Sequence, residues 1–440
     1  MAFTGNTIPY KTEWIKAYQE THYKQPVFPV FADTRFADVL VQGATIKWSY
    51  DSDADVQQMD ATGAYNITDK VVTDELLTVD QRPYSSFRIP STERIQDHRP
   101  TQQKWAQKAM NRVFWKMDAQ MLGAMKAAAA SALSAGDITP GATGPIQATT
   151  STAPQIYVLA RQALRNQNVV YDENKKWTGY VKLDNASKYP ACAIPAELEA
   201  AVLLAVGFKP GDFGDQVLKQ GYLNMLFGFN TFVSTALPFT INYVVASGNA
   251  TNGDTFTIGG NTFTLVSGTP TNPGDIKISA VNAAGTATNI AAALSAPYTA
   301  SATYVPFVRA TVAASSLQKA FTLDLLSATA DSATVTVTVL GQGTVTCTDT
   351  AASDGFNSTT AAVHAIFGTS QSISLVMQRA PELSVSAGSI IGNGATGGYV
   401  AQDFVTWTLA GWKVFLTQSK QLVDVPILAS GYQAPSNTYN

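Results

Sequence analysis

Three sets of residues have types and spacings that could carry chemistry. Gly392-Asn-Gly-Ala-Thr-Gly has the glycine spacing of a dinucleotide-binding turn, in which small residues let backbone N–H groups approach a pyrophosphate at a helix N-terminus. The residues directly after it, Gly398-Tyr-Val-Ala-Gln-Asp-Phe, make no helix start, and no strand–helix–strand unit surrounds the run, so the segment reads as a loop. Asp51, Asp53 and Asp55 have the alternate spacing with which carboxylates open a calcium loop. Such a loop needs Gly where this chain has Val56 and Glu where it has Thr62, so the segment reads as a solvated turn. The third set is the sparse metal-ligand types, His22, His98, His364, Cys192 and Cys347, whose contexts share no ligand spacing. His98, between Asp97 and Arg99, reads as a capping or surface residue at a helix entry. Cys192 and Cys347 could form a disulfide, but two unrelated thiols are the better reading of so wide a separation. No Gly-X-Ser-X-Gly elbow and no Walker loop occurs. The sequence therefore predicts no catalytic residue, no cofactor-binding residue, no metal ligand, no cofactor and no enzymatic activity.

Composition narrows the classes further. The 440 residues are 45% hydrophobic, ample for real cores, but only 14% charged, against roughly 25% in ordinary soluble domains. A surface so rich in Ser, Thr, Asn, Gly and Ala suits packed or repetitive surroundings. A net charge of −3 provides no global positive field for gripping nucleic acid. No segment approaches the ~18 consecutive apolar residues of a membrane span; Ala200 to Phe208 is apolar but is bounded by Glu199 and Lys209. The start, Met-Ala-Phe-Thr-Gly-Asn, lacks the basic run and apolar stretch of a signal peptide. A protein made and kept in a cytoplasm, or released by lysis, is expected.

The elements that would position any site emerge from periodicity. Residues 1–38, with Trp14, Tyr18, Tyr23, Phe28 and Phe31, read as an extended arm with one short helix around Lys11–His22. Residues 39–90 read as a long two-stranded excursion. Its strands are Val39-Leu-Val-Gln-Gly-Ala-Thr-Ile-Lys-Trp-Ser-Tyr, then Val71-Val-Thr and Tyr84-Ser-Ser-Phe-Arg-Ile, with a polar tip from Asp51 to Lys70. The clearest helix spans 97–135. Pro100 is tolerated in its first turn, and Trp105, Val113, Phe114, Met117, Met121 and Met125 recur at helical spacing. Lys104, Lys108, Arg112, Lys116 and Gln120 lie off this stripe, Ala127–Ala130 carries the helix on, and Gly136-Asp ends it. Such a helix would reach ~45 Å or more. A Gly/Pro/Thr/Ser linker over 137–154 precedes a helix over Ala153–Asn166, a strand over Trp177–Leu183, a Pro-started helix over Pro195–Val206 and a strand over Gly228–Val233.

The composition then changes. Between Ile241 and Ala361 the charged residues are only Asp254, Asp275, Lys277, Arg309, Lys319, Asp324, Asp331, Asp349 and Asp354. Asp254-Thr-Phe-Thr-Ile and Thr262-Phe-Thr-Leu-Val flank Gly259-Gly-Asn as in a hairpin, Thr286–Leu294 reads as one short helix, and Ala333-Thr-Val-Thr-Val-Thr-Val-Leu alternates strictly. The earlier style returns after Ala362, with a strand at Ile373-Ser-Leu-Val-Met, a strand pair over Phe404–Phe415 and a last strand over Gln421–Leu428. The block 241–361 is thus expected to be an independent β-rich domain inserted into a host domain. Its flanks, Pro238 and Val363, should lie close together.

In order and spacing, the host part resembles the major capsid proteins of tailed bacteriophages, those with the Hong Kong ninety-seven fold. The resemblance rests on several stretches, over roughly 1–240 and 362–428. An arm is followed by a hairpin ending Leu77-Thr-Val-Asp-Gln-Arg-Pro-Tyr-Ser-Ser-Phe-Arg-Ile, and Glu93-Arg-Ile-Gln then leads into the long helix. Ala191-Cys-Ala-Ile-Pro-Ala-Glu-Leu-Glu-Ala-Ala-Val-Leu-Leu is similar to the family's strand running into a Pro-started helix. Gly221-Tyr-Leu-Asn-Met-Leu-Phe-Gly-Phe-Asn-Thr-Phe-Val-Ser-Thr-Ala-Leu-Pro, Ala365–Met377 and Gly411-Trp-Lys-Val-Phe resemble its later strands.

The resemblance implies an α+β fold with an arm (1–38), an extended hairpin loop (39–90) and a peripheral domain with a spine helix (91–150). It also implies an axial domain in two parts, 151–240 and, shared with the peripheral domain, 362–440, around the β-rich insertion at 241–361. It implies a structural subunit forming hexamers and pentamers of an icosahedral head, alongside separate scaffolding and portal proteins and decoration or auxiliary capsid proteins. Double-stranded DNA would lie on the inner face without sequence-specific binding, and no membrane would be involved. Location in the virion, after assembly in the bacterial host cytoplasm, is expected. Some members crosslink through Lys and Asn; Lys47 and Lys70 lie in the hairpin region, but no partner is identified and that chemistry is not carried over. The alternative is a β-rich surface or secreted binding module, an adhesin or decoration protein, against which the long helix and the absent signal peptide argue. A long hairpin without a core of its own is unstable alone in water, so it calls for a neighbour independently of the resemblance.

Overall fold

The computed structural model describes residues 26–37, 44–51, 72–90, 101–167, 170–171, 177–178, 190–207, 225–245, 250–258, 261–295, 301–305, 325–341, 345–348, 356–385, 389–391 and 399–428. The chain opens with α1 (Phe28–Phe31), β1 (Ala32–Asp33), the antiparallel pair β2 (Thr45–Asp51) and β3 (Val72–Thr78), and β4 (Tyr84–Pro90). Next come α2 (Thr101–Ala128), β5 (Ser131–Ala132), α3 (Ala135–Ile138), α4 (Thr152–Asn166), β6 (Val170–Tyr171) and β7 (Trp177–Thr178). The middle of the chain runs β8 (Ala191–Ile194), α5 (Ala196–Gly207), β9 (Met225–Leu226), β10 (Phe229–Val233), β11 (Phe239–Val245), β12 (Thr255–Ile258), β13 (Asn261–Val266) and β14 (Asp275–Lys277). Then come α6 (Ala283–Ser295), β15 (Leu325–Asp331), β16 (Thr334–Val339), β17 (Val345–Thr348) and β18 (Phe356–Gly368). It closes with β19 (Ile373–Val385), β20 (Ser389–Ile391), β21 (Tyr399–Lys413), α7 (Leu416–Ser419) and β22 (Leu422–Leu428). The class is α+β.

The apolar stripe of α2 is core. Val113, Met117, Met121 and Met125 are fully or almost fully buried, and Phe114 packs part-buried against them. The side chain of Trp105 lies outside the described residues. The helix is 28 residues long, about 42 Å at ~1.5 Å per residue. It ends at Ala128, so the expected continuation to 135 is corrected. The alanines after it favour helix by propensity, but their backbone groups are taken by the last strand and its approach. Ala130 N–H donates to Ser419 O at 3.1 Å, Leu133 N–H donates to Asp424 O at 2.9 Å, and β5 pairs with Val423 and Asp424. Gly136 therefore falls inside the short α3 instead of stopping the long helix. The expected linker over 137–154 is also held in place, because Ile146 is buried and hydrogen-bonds Pro426 and Leu428 through its backbone.

Two sheets carry the body. The larger, of nine strands, runs β15-β16-β11-β18-β8-β10-β9, with β22 on the other edge of β18 and β5 on β22. The five-stranded sheet runs β1-β19-β21-β20, with β4 also on β21. Two sequence expectations change here. Tyr84–Pro90 belongs to this sheet and not to the excursion, and Phe404–Phe415 is no strand pair, because Tyr399–Lys413 is a single strand. Phe28 and Phe31, expected in an extended arm, are buried against α2, since a short apolar turn beside an apolar stripe gains more by packing than by exposure. The helix expected at Lys11–His22 lies outside the described residues. So does most of the Trp177–Leu183 strand, of which Trp177–Thr178 pairs with β6.

The low-charge block does not end where its composition does. β11 spans its first boundary and β18 its second, and they pair with each other. β15 and β16 extend the nine-stranded sheet through β11, while β12, β13, β14 and β17 form a separate four-stranded sheet. Composition records the surroundings of surface side chains; sheet membership is decided by backbone pairing, which here crosses the compositional step. The expected closeness of the flanks holds: Phe239 pairs with Val363, and His364 N–H donates to Pro238 O at 2.9 Å.

Candidate assembly surface

The hairpin β2–β3 pairs with no other strand among the described residues. Its register, Thr45 opposite Thr78 through Asp51 opposite Val72, sorts its side chains by face, because residues alternate along a strand. Ile46, Trp48, Glu75 and Leu77 share the face turned to the body. Leu77 is fully buried with Val79, Val376 and Phe415, and Phe36, Ile46, Trp48 and Leu409 pack around them. Trp48 stands edge-on to Phe36 at 5.0 Å and tilted against Phe415 at 5.8 Å. The opposite face carries Lys47, Ser49, Asp74, Leu76 and Val72, with Leu76 54% and Val72 57% exposed. Two ladder positions of β3 beyond Glu75, Asp74 and Thr73, are likewise exposed. Lys47 pairs with Asp74 at 2.6 Å, and with Ser49 it holds the Asp74 carboxyl below its usual range. An ion pair so exposed contributes little to stability.

The hairpin is fixed to the body at its base. Val79 N–H closes the ladder on Ala44 O at 2.8 Å. Just beyond, Gln81 exchanges two backbone hydrogen bonds with Ala410 of β21, at 2.9 and 3.0 Å. A Cβ at Gly411 would overlap Thr78 O and Val79 Cα, so glycine in mid-strand is what lets the hairpin cross so closely. Tyr84, at the start of β4, adds an exposed ring (71%) near the same base. Motif alone places Gly411 in a closing strand without supplying this reason. A glycine inside an otherwise apolar strand is the signal that the sequence offers. Leu76 is marked in the sequence as the apolar residue out of phase with Trp48 and Leu77.

Among the residues weighed for chemistry, Lys47 lies on the exposed hairpin face, while Lys70, His22, His98 and the glycine run at 392 lie outside the described residues. The described residues that follow that run form the strand β21 and not a helix. Asp51 ends β2; Asp53 and Asp55 lie outside the described residues. No group of metal-ligating residues occurs among the described residues. Cys192 is a free, buried thiol in β8, with Thr231 Oγ1 at 3.5 Å, and burial pushes it up to about 12, so it is protonated and unreactive at neutral pH. Cys347 lies on another sheet, in β17.

Two buried polar arrangements were not legible in the sequence. His364 lies between Asp424, whose Oδ1 is 2.8 Å from Nδ1, and Thr240, whose Oγ1 is 2.7 Å from Nε2 and 2.9 Å from Thr338 Oγ1. A carboxylate only accepts, so Nδ1–H donates to Asp424, while Nε2 and the Thr240 hydroxyl share the second hydrogen bond. The four residues lie on one face of the adjacent strands β16, β11, β18 and β22, where they tie the strands of the low-charge block to the last strand. The second is Asp118 in α2. Its Oδ1 accepts Val27 N–H at 2.9 Å and Phe28 N–H at 2.7 Å. Burial outweighs these two bonds and pushes the carboxyl up to about 7, while burial alone brings nearby Lys116 down to about 8.

No family model and no curated protein matches the chain. Solved structures do. The chain is similar to one from Mycobacterium phage Che8, at 10% identity over 94% of this chain and 95% of that one, with a TM-score of 0.49. It is similar to the capsid asymmetric unit of cyanophage Pam1, at 11% identity over 98% and 100%, with a TM-score of 0.47. It is also similar to the capsid of Ralstonia phage GP4, at 8% identity over the full length of both, with a TM-score of 0.42.

Proposed function

We propose that the chain is a major capsid protein of a tailed bacteriophage, a non-enzymatic subunit whose copies join into the shell of the virion. The observation that carries this reading is the hairpin β2–β3. It is anchored by its base, bare on its outer face, and presents Val72 and Leu76 to solvent. That outer face gains little from the described residues of its own chain, and a neighbouring copy would supply what it lacks. In this reading the subunits form hexamers and pentamers of an icosahedral head that encloses double-stranded DNA without sequence-specific contacts. Scaffolding, portal and decoration or auxiliary proteins are the expected partners, and assembly takes place in the host cytoplasm. α2 is the spine, β2–β3 the extended loop, and the α4, α5 and β8–β10 region the axial part. The four-stranded sheet with α6 is the portion of the 241–361 block that faces outward. Sedimentation and negative-stain microscopy of the expressed chain test this. Closed shells, tubes or capsomers are expected; a compact monomer at micromolar concentration would overturn the reading.

A further inference from the structure

We infer that Glu75 is a strut that fixes the angle at which the hairpin leaves the body, and that this angle governs whether copies can join; the second half rests on the assembly reading above. The hairpin touches the body at two levels. At the lower level, Thr78 and Val79 cross Gly411 at a distance that admits no Cβ. This is a pivot. A two-stranded ribbon held at one level can still rock about it. The upper level lies three residues out along β3, roughly 10 Å at ~3.3 Å per residue. There the Glu75 carboxylate reaches back to the segment joining β21 to α7. Its Oε2 accepts Leu416 N–H at 2.8 Å, and its Oε1 lies 3.6 Å from Lys413 Nζ. Trp48, directly opposite Glu75 in the ladder, adds ring contacts to Phe36 and Phe415 at this same level.

Position along the strand makes Glu75 special. It is the outermost residue of β3 that is still partly covered; Asp74, Thr73 and Val72 beyond it are exposed. A polar residue on the body-facing side of a ribbon needs a partner, and both of its partners come from one segment of the body. Everything outward of Glu75 is a lever, so a small rotation at this level becomes a larger displacement where Val72 stands. Removing the strut should leave the pivot and the Leu77 packing intact, keeping the chain folded while the hairpin samples more directions.

The test uses the full chain as wild type, Glu75→Ala, Glu75→Gln and Lys413→Met. For Glu75→Ala the thermal midpoint should stay within about 3 °C of wild type, because the hydrogen bond and ion pair that it removes are partly exposed. Amide exchange in β2 and β3 should accelerate by about tenfold while that of β18 and β22 is unchanged. The assembled fraction should drop about fivefold or more, since a ribbon sampling many directions spends less time in the competent one. Glu75→Gln keeps an acceptor for Leu416 N–H, and Lys413→Met removes the ion pair and the cation's contact over the Phe415 ring at 5.6 Å but keeps the Leu416 hydrogen bond, so both should fall between wild type and Glu75→Ala. Wild-type exchange in the Glu75→Ala hairpin would overturn the strut. Faster exchange with wild-type particle yield would overturn its link to joining. A wild-type chain that forms no particles would overturn the assembly reading instead, while the exchange data still judge the strut.

Discussion

The strand β18 and the hairpin β2–β3 are built from similar apolar and β-branched residues, yet they stand in opposite conditions. β18 has pairing partners on both edges, from β11, β8 and β22, and its Val363, Ala365, Ile366 and Phe367 are buried. Among the described residues the hairpin has only its own two strands, and its cover ends at Glu75. Burial contributes roughly 25 cal/mol per Å² of apolar surface, so the body can hold itself together and the outer hairpin cannot. The difference teaches where to look for assembly: not where the chain is most apolar, but where a regular element is left without neighbours.

Breaking the body should have the largest effect. Met121→Asp places an unpaired charge at a fully buried position of α2, at a cost of several kcal/mol, and no soluble folded chain is expected in circular dichroism or gel filtration. Gly411→Val acts at the junction of the two regions. Its side chain meets backbone at Thr78 and Val79, so a loss of about 1–3 kcal/mol is expected, with the change in amide protection concentrated at 76–81. A pH-dependent effect concerns Asp118, which holds Val27 and Phe28 to the body. Its carboxyl, at about 7 in the fold against 3.8 ordinarily, keeps its proton in the folded chain across a range where the unfolded chain has lost it. Stability should therefore decrease as pH rises from about 4 to about 7 and then level off. Asp118→Asn should remove most of that slope, and denaturant midpoints measured at several pH values check it.

Local periodicity carried much of the fold. The α2 stripe, the alternation of β16 and the Pro195-started α5 were all legible, because each is decided within a dozen residues. Three features were not. The end of α2 depends on backbone bonds to β22, about 290 residues later. The ties of His364 to Thr240 and Asp424 join residues 124 and 60 positions apart, and no local pattern marks them beyond one polar residue in an apolar strand. The edges of the low-charge block rest on composition, which does not see that β11 and β18 pair across them. Of the candidate surface, the hairpin itself was legible from its alternation; which of its faces is bare, and why Gly411 lies beneath it, needed the register and the packing.

The most direct test of the central claim is to compare wild type with the double variant Val72→Lys, Leu76→Asp in sedimentation velocity and microscopy. Both positions are more than half exposed, and in the ladder Val72 lies opposite Asp51 and Leu76 opposite Lys47, so each new charge meets its opposite and is tolerated within the subunit. The thermal midpoint should shift by only about 2 °C or less, as for other exposed substitutions. If the bare face of the hairpin joins copies of this chain, wild type forms particles and the double variant remains a folded, unassembled subunit. Particles at wild-type yield from the double variant would contradict the account.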